Sequence, residues 1–233
     1  MNTREEDIIE IKVIARIQTD FPSKFGIPRQ SGLIDSLEGR IVFEPEFRNE
    51  AAVKGLESYS HLWLIWQFSE VAGKSWSPTV RPPRLGGNTR IGVFASRSPF
   101  RPNHLGLSAV RLQRVEMDEK LGPVIYVRGA DLMDNTPIVD IKPYIPYADS
   151  HPEASSGIFQ EVEKIRLQVE IPQDLLQRIP AENLEALKEV LAEDPRPSYQ
   201  KDPERIYGLS FARLNIRFRV EEDRLTVLEV EDL

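Results

Sequence analysis

Short runs rich in Ile, Val and aromatic residues recur along this chain, and Gly- or Pro-bearing turns interrupt them before a long helix could form. The runs are Ile8 to Ile17, Glu38 to Phe43, His61 to Phe68, Ile91 to Ala95, Leu107 to Val115, Val124 to Asp131 and Ile138 to Ile141. Such residues suit a pleated, half-buried surface. Strands at this spacing, with few helical patterns between them, predict an antiparallel sheet closing into a barrel. His61 to Phe68, H-L-W-L-I-W-Q-F, is nearly continuously apolar and predicts a central strand buried on both faces. Thr19 to Arg29 carries Pro22, Gly26 and Pro28 and reads as a loop. Ser75 to Asn88 carries Pro78, Pro82, Pro83, Gly86 and Gly87, an extended loop of restricted backbone. Asn49 to Leu56 predicts a short helix.

The pattern changes after Pro143 to Ser156, which reads as a connecting arm. Val162 to Ile171 alternates as a strand does. Ala181 to Ala192 places Leu184, Leu187, Val190 and Leu191 at helical spacing behind an acidic first turn. Leu209 to Val220 and Arg224 to Val230 predict a hairpin. The expected fold is therefore mainly β with a small α+β part. A single-sheet antiparallel β-barrel spans residues 1–155, and a small C-terminal α+β domain spans residues 156–233.

The chain has no cysteine, which excludes disulfides, thiolate metal sites and cysteine nucleophiles. Its three histidines, His61, His104 and His151, form no close ligand pair, so no metal is expected. The polar N-terminus is no signal peptide, and no apolar run approaches the roughly 20 residues of a membrane span. A cytoplasmic protein that does not meet the membrane is the expectation. The P-loop, the G-x-G-x-x-G fingerprint and the G-x-S-x-G elbow are all missing.

Charge is distributed unevenly. The net charge is −7, yet Lys74 to Arg114 holds eight basic residues and no acidic one. That points to a polyanionic partner. Within the segment, Pro99 and Pro102 stiffen the loop that carries Arg97 and Arg101, which lowers the ordering cost of meeting phosphate or carboxylate. Asp131, Asp134 and Asp140 fit either a site or ordinary turn chemistry. Trp63 and Trp66 fit a core better than a site.

Taken together, P-R-Q (Pro28 to Gln30), S-H-L-W (Ser60 to Trp63), R-P-P-R-L-G-G-N (Arg81 to Asn88), G-V-F-A-S-R-S-P-F-R-P-N (Gly92 to Asn103) and D-L-M-D-N-T-P-I-V-D-I-K-P-Y (Asp131 to Tyr144) closely resemble the TrmO (YaeB-like) family. D-P-R-P-S-Y-Q (Asp194 to Gln200) and R-I-Y-G (Arg205 to Gly208) resemble its bacterial branch. The resemblance implies a homodimeric, barrel-fold tRNA methyltransferase. Its methyl donor would be S-adenosylmethionine and its acceptor N6 of N6-threonylcarbamoyladenosine at position 37, in the anticodon loop. It implies cofactor contacts at Pro28, Arg29, Gln30, Arg97, Leu107, Asp131, Leu132, Met133 and Asp134. The His-Gln pair of relatives is replaced here by Ser69 and Glu70, where backbone contacts to the cofactor would survive. His104 stands where many relatives have proline, and Asn135 where they have glycine.

Chemistry adds further expectations. Asp131 and Asp134 suit the cationic end of the cofactor. The N6 proton could pass to Asp134, to Asp140 or to solvent, so no catalytic base is singled out. Arg81, Arg84, Arg101 and Lys142 suit the anions of the tRNA, and Phe100 and Tyr144 suit stacking on unpaired bases. The changes at Ser69 and Glu70 leave a second possibility, a non-catalytic RNA-binding barrel.

Overall fold

The computed structural model describes residues 8–82, 89–159, 166–197 and 202–233. Six antiparallel strands close into a barrel: β1 (Ala15–Gln18), β2 (Glu38–Phe43), β3 (His61–Gln67), and, after the short pair β4 (Thr79–Val80) and β5 (Ile91–Gly92), the long strands β6 (Leu105–Asp118), β7 (Gly122–Arg128) and β8 (Thr136–Pro143). Around the barrel the order is β1-β2-β7-β6-β3-β8, and β8 returns to β1 with Ala15 opposite Ile138. Closure leaves the sheet without an unpaired edge. Short helices α1 (Glu50–Val53) and α2 (Pro146–Asp149) fill two connections. Asn49 caps α1 by accepting from Ala51 N at 2.9 Å.

Alternation builds the interior. In β3, Leu62, Leu64 and Trp66 point inward and are buried, while His61 is exposed and Trp63 and Ile65 are half-buried. β3 is thus buried on its inner face alone, which corrects the expectation of two buried faces. Ile17, Ile41, Val110, Ile125, Val127 and Ile138 complete the inner layer. Each such side chain contributes about 1.5–3 kcal/mol on leaving water. Opposite β3, the pairing steps from Ile65↔Asp140 to Trp66↔Ile138, so Val139 is an extra residue that bends β8.

The strand expected from Ile8 starts at Ala15, and Ile8, Ile9 and Ile11 are exposed. The strand expected over Ile91 to Ala95 pairs only at Ile91–Gly92 before turning.

Beyond residue 166 lies a four-stranded sheet with helices α3 (Gln173–Leu176) and α4 (Ala181–Ala192). Its strands are β9 (Gln168–Glu170), β10 (Tyr207–Phe211), β11 (Leu214–Glu221) and β12 (Arg224–Asp232), in the order β10-β11-β12-β9 with β9 parallel to β12. Part of the strand expected at Val162 to Ile171 lies outside the described residues. The single strand expected over Leu209 to Val220 is two strands, folded at Ala212 and Arg213, which both take positive φ.

The core of this sheet takes in side chains from the β1–β2 loop. Phe21, Ile34 and Leu37 are buried with Leu187, Leu209, Phe211 and Phe218 rather than with the barrel interior. Phe21 meets Phe211 edge-on at 5.2 Å, and Ala212 N donates to Asp20 O at 3.0 Å. The loop therefore hangs between two cores, and it carries the P-R-Q triplet.

Candidate active site

A cavity of about 790 Å³ opens beside the barrel, a size that suits a small-molecule ligand. Four stretches of chain and a few single residues wall it. The β1–β2 loop contributes Lys24 and Ile27 to Gln30, and the end of β3 and the turn after it contribute Ile65 to Val71. The arginine-rich loop contributes Ser96, Arg97 and Pro99 to Arg101, and the start of β6 contributes Leu105 to Leu107. Asp131, Met133 and Thr136 complete it from the β7–β8 connection and β8.

Nine of the residues expected at the cofactor meet here: Pro28, Arg29, Gln30, Ser69, Glu70, Arg97, Leu107, Asp131 and Met133. Leu132 does not line the cavity, because its side chain is buried in the barrel core, and its carbonyl accepts from Thr19 Oγ1 at 3.0 Å. Asp134 does not line it either. Its carboxylate accepts from Thr19 N at 3.0 Å and from Asn135 Nδ2 at 3.3 Å, which ties the start of the β1–β2 loop to the β7–β8 turn. Asp140 lines a separate recess with Phe43, Phe47 and Val53, and it ion-pairs with Lys142 at 2.7 Å.

Among the residues expected at tRNA, Arg101 lines the cavity and donates to the carbonyls of Ser96 at 2.9 Å and Ser98 at 3.4 Å, bracing its own loop. Arg81 is exposed. Arg84 lies outside the described residues, as do Gly86 and Gly87. Tyr144 lies against Trp63 at 5.4 Å, away from the cavity wall. The acid-free segment is not acid-free in space: Arg111 pairs with Asp35 at 3.0 Å and Arg114 with Glu116. Its positive field is correspondingly narrowed toward the arginine-rich loop.

Electrostatics at the cavity centre on Asp131. Burial pushes its carboxyl above the usual carboxylate range, while hydrogen bonds from Ser108 and from backbone amides and the charge of Arg97 pull the other way. Arg97 in turn donates to Gln30 Oε1, linking the arginine-rich loop to P-R-Q. Lys24 and Glu70 tie the same β1–β2 loop to the turn after β3 at 3.8 Å. Asp20, near Asp134 but outside the cavity wall, is also raised, by burial and by its carboxylate neighbours Glu38 and Asp134.

His104 closes the arginine-rich loop. Its backbone takes φ +49°, and its buried ring sets Nδ1 2.8 Å from Pro99 O and Nε2 3.0 Å from Lys74 O. The imidazole thus bridges the two loops that approach the cavity from its outer side, a contact that proline cannot make. Sequence reasoning missed this bridge. It also missed Trp66 and Ser108, which meet only through the register of β3 on β6.

The model of the tRNA-methyltransferase O N-terminal domain matches residues 16–150, and that of the TrmO C-terminal domain matches residues 163–233. The chain belongs to the TrmO family. It is 40% identical over 231 residues to the tRNA (adenine(37)-N6)-methyltransferase of Escherichia coli K12, covering 95% of this chain and 97% of that one. A Pseudomonas aeruginosa relative, RcsF, whose name proposes S-adenosylmethionine-dependent methyl transfer, is 38% identical over 94% of this chain and 96% of its own length. The crystal structure of TrmO from Pseudomonas aeruginosa superposes with a TM-score of 0.77 at 32% identity, covering 96% of this chain and 99% of that one. The TrmO barrel and the sheet that follows it are thus both present here.

Proposed function

We propose that this TrmO-family chain is an S-adenosylmethionine-dependent tRNA methyltransferase that methylates N6 of adenine 37. One observation carries the reading for this chain. Nine residues assigned to the cofactor by resemblance come from five separated parts of the sequence and line one cavity. The close similarity to the Escherichia coli enzyme over nearly the whole chain supports the same reaction.

The donor set fits the methyl donor. When bound, S-adenosylmethionine supplies an electrophilic methyl group on a sulfonium cation. Asp131 offers it a carboxylate, Ile27, Ile65, Phe68 and Met133 offer apolar surface, and Arg29, Arg97 and Arg101 offer positive charge for carboxylate or phosphate. The residues act by holding nucleophile, carbon and leaving group in line, and orientation of this kind accounts for a large part of catalytic acceleration. The acceptor in this reading is N6-threonylcarbamoyladenosine. Since neither Asp134 nor Asp140 lines the cavity, the reading routes the N6 proton to the acceptor's own carboxylate or to water.

The rim carries Leu107 and Phe100, 53% and 42% exposed, an apolar margin suited to a stacked base or to a second copy of the chain. A homodimer working in the cytoplasm belongs to this reading. Residues 1–155 supply the chemistry and residues 156–233 support it. Among the described residues no helix is long and apolar enough to cross a membrane.

Mass spectrometry of nucleosides from tRNA incubated with the protein and S-adenosylmethionine tests the reaction. A mass gain of one methyl on the threonylcarbamoyl nucleoside is expected, and unmodified tRNA would overturn the reading. The departures at Ser69 and Glu70 raise a second reading, a non-catalytic RNA-binding barrel, which is not favoured, since both residues line the cavity and the relatives are methyltransferases. That reading requires no uptake of millimolar S-adenosylmethionine in a calorimetric titration.

A further inference from the structure

Behind the cavity wall runs a chain of three side chains. Trp66 Nε1 donates to Ser108 Oγ at 3.0 Å, and Ser108 Oγ donates to Asp131 Oδ1 at 2.6 Å. Trp66 and Asp131 line the cavity, whereas Ser108, 1% exposed, stands behind it. With Asp131 ionised, the direction of both bonds is fixed by chemistry. An indole can only donate, so the serine oxygen must accept from it, and the single hydroxyl proton is left for the carboxylate. The indole packs closely on the β6 backbone. Gly106 pairs with Trp66 across the strands, and a Cβ on Gly106 would fall 2.4 Å from the ring.

Accepting that the cavity holds S-adenosylmethionine, we propose that Ser108, locked by Trp66, is a positioning residue that aims the Asp131 carboxylate at the cationic end of the methyl donor. Ser108 ties one carboxylate oxygen back to the barrel. It also supplies a hydrogen bond that only the ionised carboxylate uses to full effect, against burial that disfavours that form. The charged group acting on Asp131 is Arg97, and the backbone at Ser31 also favours its ionised form. Lys24, Arg29, Glu70 and Arg101 stand on the other walls of the same cavity.

The test is calorimetric titration of the full chain with S-adenosylmethionine from pH 5 to pH 8. The proteins compared are wild type, Ser108→Ala, Ser108→Thr, Trp66→Phe and Asp131→Asn. Wild-type affinity is expected to fall on the acid side as Asp131 takes up a proton. In Ser108→Ala the fall is expected to begin at higher pH, with binding roughly tenfold weaker at neutrality. Ser108→Thr, which keeps the hydroxyl, is expected to restore the wild-type profile. Trp66→Phe keeps an aromatic side chain, though a smaller one, and removes the donor; it is expected to shift the fall in the same direction, and it carries the test should Ser108→Ala not fold. Asp131→Asn is expected to abolish the acid fall. A wild-type chain that takes up no S-adenosylmethionine would overturn the functional reading and this proposal together. Wild-type binding with an acid fall at the same pH in Ser108→Ala and Trp66→Phe would overturn the proposal alone.

Discussion

Asn135 holds φ +62° at the entrance to β8, a left-handed conformation in which a Cβ crowds the following carbonyl. Asparagine tolerates it better than most residues, and glycine better still. The resemblance marks Asn135 as a departure from the family's glycine, and the backbone shows why both residues serve. Asn135→Gly is expected to leave thermal stability nearly unchanged, whereas Asn135→Ala is expected to cost about 1 kcal/mol, read from the urea midpoint. Asp131 illustrates a different conflict. Its carboxyl titrates above the ordinary range because it is buried, so between the unfolded and the folded values the folded chain holds a proton that the unfolded chain has already released. Its contribution to stability is therefore fully present below the unfolded carboxylate value of about 3.9 and is lost as pH rises through the higher folded value. Asp131→Asn is expected to melt at a higher temperature than wild type near pH 7 and close to it at pH 3, while losing cofactor affinity. A melting temperature that falls at both pH values would refute the assignment. The sequence marks Asp131 and Asp134 alike, because both sit in one D-L-x-D motif. Only the fold separates the carboxylate that faces the cavity from the one that holds Thr19.

At the scale of elements, the pattern of apolar runs locates the barrel strands but not their limits. The Ile-rich stretch from Ile8 looks like a strand from its first residue, yet pairing with β2 and β8 begins only at Ala15. The hairpin over residues 207–221 hides its turn, because Ala212 and Arg213 are not residues that advertise positive φ. α4 is legible to its ends, since its apolar positions keep helical spacing against one sheet. Register is what the sequence conceals most. That Gly106, Trp66 and Ser108 form one unit depends on β3 pairing with β6 in one alignment, which no local pattern specifies. Gly106→Ala tests that unit. The added methyl would meet the indole, and relief requires Trp66 to leave Ser108. A loss of about 1–3 kcal/mol is expected, together with a changed near-ultraviolet dichroism of the tryptophan bands. An unaltered spectrum would show that the ring has room to spare.

At the scale of the molecule, the P-R-Q loop answers to both halves of the chain. Proline and glycine make Thr19 to Arg29 read as a plain loop, so nothing local announces that Phe21, Ile34 and Leu37 are core residues of the distant sheet. Gly26 shows how close the approach is: it takes φ +89°, and a Cβ there would fall 2.3 Å from Leu209 Cδ1. Gly26→Ala is expected to cost about 1–3 kcal/mol. It is also expected to weaken S-adenosylmethionine binding severalfold, although the residue does not line the cavity. Titration of the variant against wild type checks this, and equal affinities would show that the loop keeps its shape without the second core.

This shared core has a consequence in time. A chain leaves the ribosome from its N-terminus, and the strands of the barrel are all made by residue 143. The supports of the P-R-Q loop, Leu209, Phe211 and Phe218, are made much later. During that interval the barrel can close around its own interior while the loop has no surface to settle on. Completion of the cavity is thus placed at the end of synthesis, since a nascent chain stalled before residue 207 would lack the side chains on which this part of the cavity wall rests.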